Sequence, residues 1–379
     1  MRYMDTGEAH GLGLVAIVDD VPAGLRISPD NIDADVARWD RLHGRPSSPC
    51  AYEGVELLAG VRNGRTIGSP VALCLTRKES SSDTSEAPCR TVPRPGTAEL
   101  SAALKFDFDD CLCATERIDP LVDAARIAAA GVAREFLADL GIEIHSYVTR
   151  IGSASMNEED NALEDFIYTP LDIEMSQVRC PSSQASRAME AQIDDAVTKG
   201  ETLGGAFCIA VTGLDAGVGS YTGSSCGGLR SELAAAAFSV LGVCKVEFGR
   251  GAAWGSIPGS SFADIPECGT RGFSRASNHS GGIEGGLSTG LPILMRVAVE
   301  PNPALDRAVA ALDMETLEKT ECPSGRYDAC RVPSIAVAVE SAVAFALAQA
   351  YRRKFGGDSM GDVHTALAAY RERLARAAR

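Results

Sequence analysis

The sequence lacks the long apolar runs that cross membranes, since no stretch of about 18 consecutive apolar residues occurs. Its first residues, Met1 to Asp5, also lack a charged leader followed by an apolar segment, which is the pattern of a secretory signal. We therefore expect a cytoplasmic protein without a membrane partner.

Paired metal-binding cysteines are missing as well. The chain has 12 cysteines, but no C-x-x-C occurs and the closest pair is Cys111 and Cys113. Structural zinc sites use paired cysteines or a mixed cysteine and histidine cluster. We expect no metal site, and we interpret the cysteines as reduced thiols that behave as small buried hydrophobic side chains.

Positive charge is scarce relative to negative charge. Lys and Arg number 36 against 51 Asp and Glu, which gives a net charge of −15. This balance argues against non-specific binding to nucleic acid, because the phosphates would be repelled. A small anionic substrate stays open, provided that the few cations gather in one pocket.

Strand-like and helix-like segments alternate along the chain without a regular βαβ rhythm. Ser28-Pro29 predicts a helix start, because Ser can cap free N–H groups and Pro suits the first helical position. Asn63-Gly64 predicts a hairpin turn between strands at 55–61 and 67–75, and Gly141 predicts a left-handed end to an alanine-rich helix over 123–140. Further predicted strands are 11–18, 142–148, 205–211, 244–248 and 292–299, and further predicted helices are 186–199, 229–241, 333–352 and 360–379.

No change in composition marks a linker between domains. We therefore expect one α+β domain over residues 1–379, with strands and helices in layers and two C-terminal helices within 333–379. Residues 78–93 are polar and rich in serine, which predicts a mobile surface loop.

Four stretches together resemble the chorismate synthase family. They are RYMDTGEAHG at 2–11, LLAGVRNGRTIGSPVAL at 57–73, SNHSGGIEGGLSTG at 277–290, and RYDAC at 326–330 followed by Val332-Pro333. Weaker matches are PRPGTAEL at 93–100 and KFGGDSM at 354–360. Each match alone is weak, but all of them run in order along the chain, so the resemblance is specific.

The resemblance implies a reaction, a cofactor and a fold. The family removes phosphate and a ring hydrogen from 5-enolpyruvylshikimate-3-phosphate to make chorismate, and it needs reduced FMN although the reaction has no net redox change. The family is also associated with NADP and with the shikimate pathway of aromatic amino acid biosynthesis. The implied fold is a sandwich in which helices pack between two antiparallel sheets, and the implied assembly is a homotetramer with one flavin in each subunit.

The resemblance also assigns residues to the site. The catalytic residues would be His10, near the leaving phosphate, and Asp328; the cofactor-binding residues would be Gly285, Arg326 and Asn302; and the substrate-binding residues would be Arg38 and Arg45. Such residue types suit the chemistry, because phosphate leaves carbon only when cations neutralise its growing charge. A carboxylate can assist proton movement near the flavin, and glycines let the main chain approach a cofactor closely.

Several positions depart from the family pattern. Thr97 stands where the family has a second histidine, and threonine cannot exchange a proton near neutral pH. Glu300 replaces a lysine, and Ala9 replaces a serine. The family's Arg-Ser-Ser-Ala-Arg-Glu run becomes residues 117–122, RIDPLV, and its Trp-Asp-Arg stretch becomes residues 221–225, YTGSS.

These departures leave three functions open: an active synthase with a remodelled site, a catalytically impaired paralogue that keeps the fold and FMN binding, and a non-catalytic assembly partner of a true synthase. Simpler interpretations of the residues also stand. His10 could be a histidine packed beside glycines, Arg326 and Asp328 could form a surface ion pair, and the glycines at 281–286 could make tight turns.

Overall fold

The fold consists of two antiparallel sheets with helices between them. The computed structural model describes residues 1–41, 43, 52–78, 89–157, 168–222, 227–269, 272–322 and 328–377. In this part of the chain the strands are β1 Arg2–Gly7, β2 Gly13–Asp19, β3 Tyr52–Ala59, β4 Val61–Arg62, β5 Arg65–Thr66, β6 Val71–Arg77, β7 Glu143–Ile151, β8 Ala154–Ser155, β9 Gly205–Thr212, β10 Val243–Phe248, β11 Pro266–Gly269, β12 Gly272–Arg275, β13 Ile283–Glu284, β14 Leu287–Ser288, β15 Ile293–Val299, β16 Val309–Leu312 and β17 Lys319–Cys322. The helices are α1 Pro29–Asp40, α2 Glu99–Phe106, α3 Leu112–Ile118, α4 Asp123–Asp139, α5 Pro170–Glu174, α6 Ser183–Lys199, α7 Leu229–Phe238, α8 Val332–Phe355 and α9 Met360–Ala377.

The first sheet has the strand order β1-β2-β6-β3 and is antiparallel throughout. Between β3 and β6, strands β4 and β5 form a separate hairpin, whose turn has positive φ at both Asn63 (50°) and Gly64 (72°). Positive φ at both central residues is what a two-residue hairpin turn of the I′ type needs. The turn predicted from Asn-Gly is therefore confirmed.

The second sheet has the order β10-β15-β9-β7-β8, again antiparallel. Strand β15 lies near its centre, with Ile293 opposite Val211 and Val299 opposite Gly205. Its seven residues extend over about 20 Å. The segments before and after β15 therefore leave the sheet at opposite ends.

Two helices fill the space between the sheets. Helix α4 packs on β1, β2 and β6, helix α8 packs on β7 and β9, and the two helices pack on each other. A side chain at Gly131 would come within 2.7 Å of Ile32 Cγ1, so α1 and α4 approach closely there. This layering confirms the α+β sandwich, with the core in the helical layer.

Helix α8 is long and apolar enough to cross a membrane by composition alone, but 89% of its most apolar window is buried inside the protein. Its residues belong to the same hydrophobic core as α4 and both sheets. We therefore interpret α8 as the core helix of the sandwich.

A buried ion cluster of six residues interrupts this apolar core: Asp35, Arg38, Arg134, Glu174, Arg179 and Glu340. Glu340 lies in the middle of α8 and its side chain is fully buried. Burial alone would raise the pKa of Glu340, but Arg38, Arg134 and Arg179 outweigh that effect and hold the pKa well below its usual range. Glu340 is therefore a carboxylate.

The predicted helices and strands agree with the structure to within a few residues at most ends. Ser28 caps α1 by accepting a hydrogen bond from the Asn31 amide, and Gly141 follows α4 with φ of 82°. The predicted loop over 78–93 lies mostly outside the described residues. The single domain over 1–379 stays a prediction.

The prediction that the cysteines are buried is wrong for four of those that the structure describes. Among the described cysteines, Cys89, Cys113, Cys244 and Cys268 are exposed, while Cys111, Cys180, Cys208, Cys322 and Cys330 are buried. Cys89 lies in a loop, Cys113 on helix α3, Cys244 on the edge strand β10 and Cys268 in the β11–β12 hairpin. Composition alone gives no signal of burial at these positions.

Candidate functional site

The turn that carries His10 is held from both sides. The backbone amide of His10 donates to Oε2 of Glu116 at 2.8 Å, and Nδ1 of His10 lies 2.9 Å from Oε1 of the same carboxylate. The amide of Ala9 donates to the carbonyl of Glu116 at 3.0 Å, and the guanidinium of Arg77 donates to the carbonyl of Ala9. One residue of α3 therefore fixes the position of the imidazole.

Helix α3 connects three parts of the site through three consecutive residues. The hydroxyl of Thr115 donates to Oε1 of Glu99 at 2.9 Å, and Arg90 donates to both Thr115 and Glu99. Glu116 holds His10, as described above. Arg117 donates to the Gly7 carbonyl at 2.9 Å and lies 3.1 Å from Asp5. Because β1 and α2 are both bonded to α3, the carboxylate of Glu116 is held in place.

Thr97 is used by its own loop. Its hydroxyl donates to the carbonyl of Arg94 at 2.8 Å and accepts from the amide of Glu99 at 3.3 Å. Such hydroxyls close turns at helix starts, and α2 begins at Glu99. The threonine that replaces the expected histidine therefore has a structural partner on each side.

The Thr97 loop touches the segment of Asn302. A side chain at Gly96 would come within 2.7 Å of Pro303 Cβ. The carbonyl of Asn302 accepts from the Thr202 hydroxyl at 2.6 Å, and Oδ1 of Asn302 accepts from the Ala304 amide at 3.2 Å. The two segments therefore lie against each other.

The segment of Asp328 joins from the other side. The amide of Leu203 donates to the carbonyl of Ala329 at 2.7 Å, next to the Thr202 that holds Asn302. Burial raises the pKa of the neighbouring Cys330 to about 12, so its thiol is neutral. We call the segments of His10, Thr97, Asn302 and Asp328, which these contacts connect in sequence, the site ring.

Asp123 brings the two ends of the site ring together. Burial raises the pKa of the Asp123 carboxyl, and this effect is opposed by Arg126 and Arg331 and reinforced by Asp5. Arg331 follows the Asp328 segment, and Asp5 is paired with Arg117 beside Glu116. The ring thus contains arginines, one imidazole and a carboxyl that holds its proton more readily than usual.

Gly285 lies apart from the site ring within one subunit. It is exposed at the tip of the β13–β14 hairpin with φ of 55°, and a built Cβ would have no atom within 4 Å. The nearby Gly282 packs on Pro292 and Ile293, at the start of β15. Because Asn302 follows the other end of β15, these two predicted cofactor residues are separated by the length of that strand.

The predicted substrate residue Arg38 lies away from the site ring. Arg38 belongs to the buried ion cluster, where its three nitrogen groups bond to Asp35, Glu174 and Glu340. Arg45 and the predicted flavin residue Arg326 lie outside the described residues. A role for these three residues toward ligand stays a prediction.

A cavity of about 380 Å³ opens between α1, α4 and β7 and includes residues of the buried ion cluster in its wall. None of the predicted site residues lines it in the described chain. We therefore place the candidate site at the site ring, where the chemically suitable residues meet.

The residues that the structure describes contain no cluster of three or more His, Cys, Asp or Glu side chains suited to a metal ion.

Two residues of the ring were not singled out from the sequence. Glu116 lies in α3 without a motif, and its contact with His10 spans 106 positions. Arg94 is half-buried in the PRPG loop, and in the described part of the chain its guanidinium has no carboxylate partner. The loop motif was the available signal for Arg94, whereas Glu116 had none.

The chain matches known proteins over nearly its whole length. The family model described as chorismate synthase covers residues 1–351. A relative named chorismate synthase from Desulforudis audaxviator is 37% identical over 99% of this chain and 98% of its own. One of the same name from Mycobacterium leprae (strain Br4923) is 37% identical over 99% of this chain and 96% of its own. A solved structure titled "Crystal Structure of Chorismate Synthase" superposes with a TM-score of 0.80 at 29% identity, covering 99% of this chain and 98% of that one.

Proposed function

The chain belongs to the chorismate synthase family, whose members are lyases, and on that premise we propose that it eliminates phosphate and a ring hydrogen from 5-enolpyruvylshikimate-3-phosphate to form chorismate. The observation that carries the proposal is the site ring, which connects the segments of His10, Asn302 and Asp328 through hydrogen bonds and packing contacts. These residues are more than 300 positions apart at the extremes, so their connection requires the fold.

The residues of the ring divide the work by charge. His10 holds a proton toward the leaving phosphate, and the guanidinium of Arg94 adds positive charge to the same ring, because a phosphate departs only when its negative charge is stabilised. Asp328 receives the ring proton. The raised pKa of Asp123 makes it a second proton carrier at the same ring.

Reduced FMN is the cofactor that we propose, and it supplies electron density to the substrate ring when bound. The bare backbone at Gly285 suits close approach of a flat ligand, and Asn302 lies in the ring itself. Glu300 works against an anionic cofactor, because it is exposed and its carboxylate has no partner in the described chain. The glycine therefore leaves room for the flavin, whereas the carboxylate of Glu300 would repel its phosphate.

We also propose a homotetramer in the cytoplasm. The separation of Gly285 from Asn302 along β15 favours an assembly in which the hairpin of one subunit lies near the site ring of another. Light scattering of the purified protein would measure the mass, and a monomer that turns over substrate would contradict this assembly.

The function is tested by turnover with 5-enolpyruvylshikimate-3-phosphate and reduced FMN under anaerobic conditions. Chorismate and phosphate should form in equal amounts, and oxidised FMN should not support the reaction. Replacing His10 by Ala should slow turnover at least about 100-fold, whereas Glu8→Gln, an exposed change two residues away, should not. Phosphate release without chorismate would contradict the proposal.

An impaired paralogue or assembly partner is the second candidate, and Thr97 favours it. The hydroxyl of Thr97 is hydrogen-bonded within its own loop, and it cannot exchange its proton near neutral pH as a histidine would. A protein that binds FMN and never forms chorismate would be the paralogue. One that binds no FMN but co-purifies with an active synthase would be the assembly partner.

A further inference from the structure

The contact between Glu116 and His10 has the geometry of a device that orients an imidazole. Both oxygens of the carboxylate are used, one by the His10 amide at 2.8 Å and the other by Nδ1 at 2.9 Å. A single hydrogen bond would leave the ring free to rotate about its axis. Two bonds to the same carboxylate fix both the turn and the ring.

The contact also decides which nitrogen carries a proton. A carboxylate only accepts hydrogen bonds, so Nδ1 must donate to it. The hydrogen bond made by one ring nitrogen sets the tautomer and leaves the other nitrogen for chemistry. In His10, the contact with Glu116 therefore sets the proton on Nδ1.

The position of the carboxylate is itself secured. Glu116 lies between Thr115, which is bonded to the buried Glu99, and Arg117, which is bonded to Gly7 and Asp5. Its side chain is only 20% exposed, so water competes weakly for the contact. The helix thus holds the carboxylate against His10 before any ligand arrives.

We propose that Glu116 is a positioning residue for the elimination: it keeps a proton on Nδ1 of His10 and holds the imidazole in one orientation toward the leaving phosphate. This inference rests on the proposed function. The carboxylate acts through His10 and does not touch the substrate.

The test compares Glu116→Ala, Glu116→Gln and Glu116→Asp in the full-length protein, with Glu8→Gln as the matched control. Losing a residue that orients a site imidazole costs about 10- to 100-fold in activity. We expect that loss in kcat for Glu116→Ala, with KM within about twofold, because the group acts on the reacting proton rather than on binding. Glu116→Gln should retain part of the activity, since its amide oxygen still accepts from Nδ1.

A double-mutant cycle separates positioning from structure. In the His10→Ala background, Glu116→Ala should cause no further loss, because residues that act as a unit are not additive. Multiplicative losses in the double variant would overturn the proposal. A wild-type kcat for Glu116→Ala would overturn it too.

A spectroscopic readout does not depend on turnover. The chain has only five histidines, so selective ¹⁵N labelling, with His10→Ala for assignment, isolates the His10 imidazole. The wild-type protein should show a protonated Nδ1, and Glu116→Ala should lose that preference while Glu8→Gln keeps it. An unchanged spectrum in Glu116→Ala would refute the positioning role even if the wild-type protein forms no chorismate.

Discussion

Removing the charge of Glu340 should destabilise the protein more than any comparable change on its surface. Glu340 is fully buried, with Arg38 at 3.0 Å, Arg134 in contact with the same oxygen, and Ser146 and Arg179 at the other oxygen. Glu340→Gln keeps the shape but leaves the three guanidinium groups with one carboxylate fewer. Breaking a buried ion pair from one side costs about 3–5 kcal/mol.

That energy converts to a measurable melting temperature. Unfolding entropy is about 2.1 cal/mol/K per residue, so a chain of 379 residues has about 0.8 kcal/mol/K, and a loss of about 3–5 kcal/mol lowers Tm by about 4–6 °C. The matched control is Glu201→Gln, which breaks the exposed 2.6 Å pair with Arg307. Such pairs contribute about 0–1 kcal/mol, so the control should shift Tm by about 1 °C at most.

The same variant should change the dependence of stability on pH. The pKa of Glu340 is depressed in the folded state, so its contribution is present above its unfolded pKa of about 4.3 and is lost as pH falls below that value. Differential scanning calorimetry between pH 5 and pH 3 should therefore show a steeper loss for the wild-type protein than for Glu340→Gln. Equal Tm shifts for Glu340→Gln and Glu201→Gln at pH 7 would refute the reasoning.

Three further changes test the site ring. Glu300→Lys should tighten FMN binding about fivefold at low salt, and this gain should shrink as the salt concentration rises. A flavin fluorescence titration measures the Kd, and an unchanged Kd would place Glu300 away from the cofactor. Thr97→His should raise kcat more than it changes KM in steady-state assays, and a gain confined to KM would contradict a proton-carrying role. The double variant with Glu300→Lys and Thr97→His should recover more activity than either single variant. Gly96→Ala should reduce turnover, because φ is 79° and the new Cβ would meet Pro303 at 2.7 Å, whereas Gly255→Ala, with open space around it, should behave as wild type.

Elements with strong local signals were predictable from the sequence. The alanine-rich helix α4, the helix start at Ser28 and the Asn63-Gly64 turn each have a mechanism that acts within a few residues. Short helices such as α2 and α3 were missed, because eight residues or fewer give little periodicity to detect. They owe their stability to tertiary contacts, such as Thr115 with Glu99.

The site was predictable only where a motif carried it. The resemblance singled out His10 and Asn302, and the structure connects their segments, while their roles toward a ligand stay predictions. Glu116 was not found, because a contact across 106 positions leaves no local trace. Arg38 lies three residues after Asp35 on α1, a spacing at which side chains meet, and that spacing was the available signal for their ion pair in the cluster.

The position of Glu340 in the otherwise largely apolar helix α8 helps to determine how α8 aligns with α4. The faces of α4 and α8 that meet are built largely from alanine, and small uniform side chains discriminate poorly between neighbouring alignments. If α8 slid along α4 by one turn, about 5.4 Å, Glu340 would move away from Arg38, Arg134 and Arg179, and these three arginines would share only Asp35 and Glu174. The shifted arrangement would then carry uncompensated charge in a dry interior, so a single polar residue makes every alignment but one unfavourable.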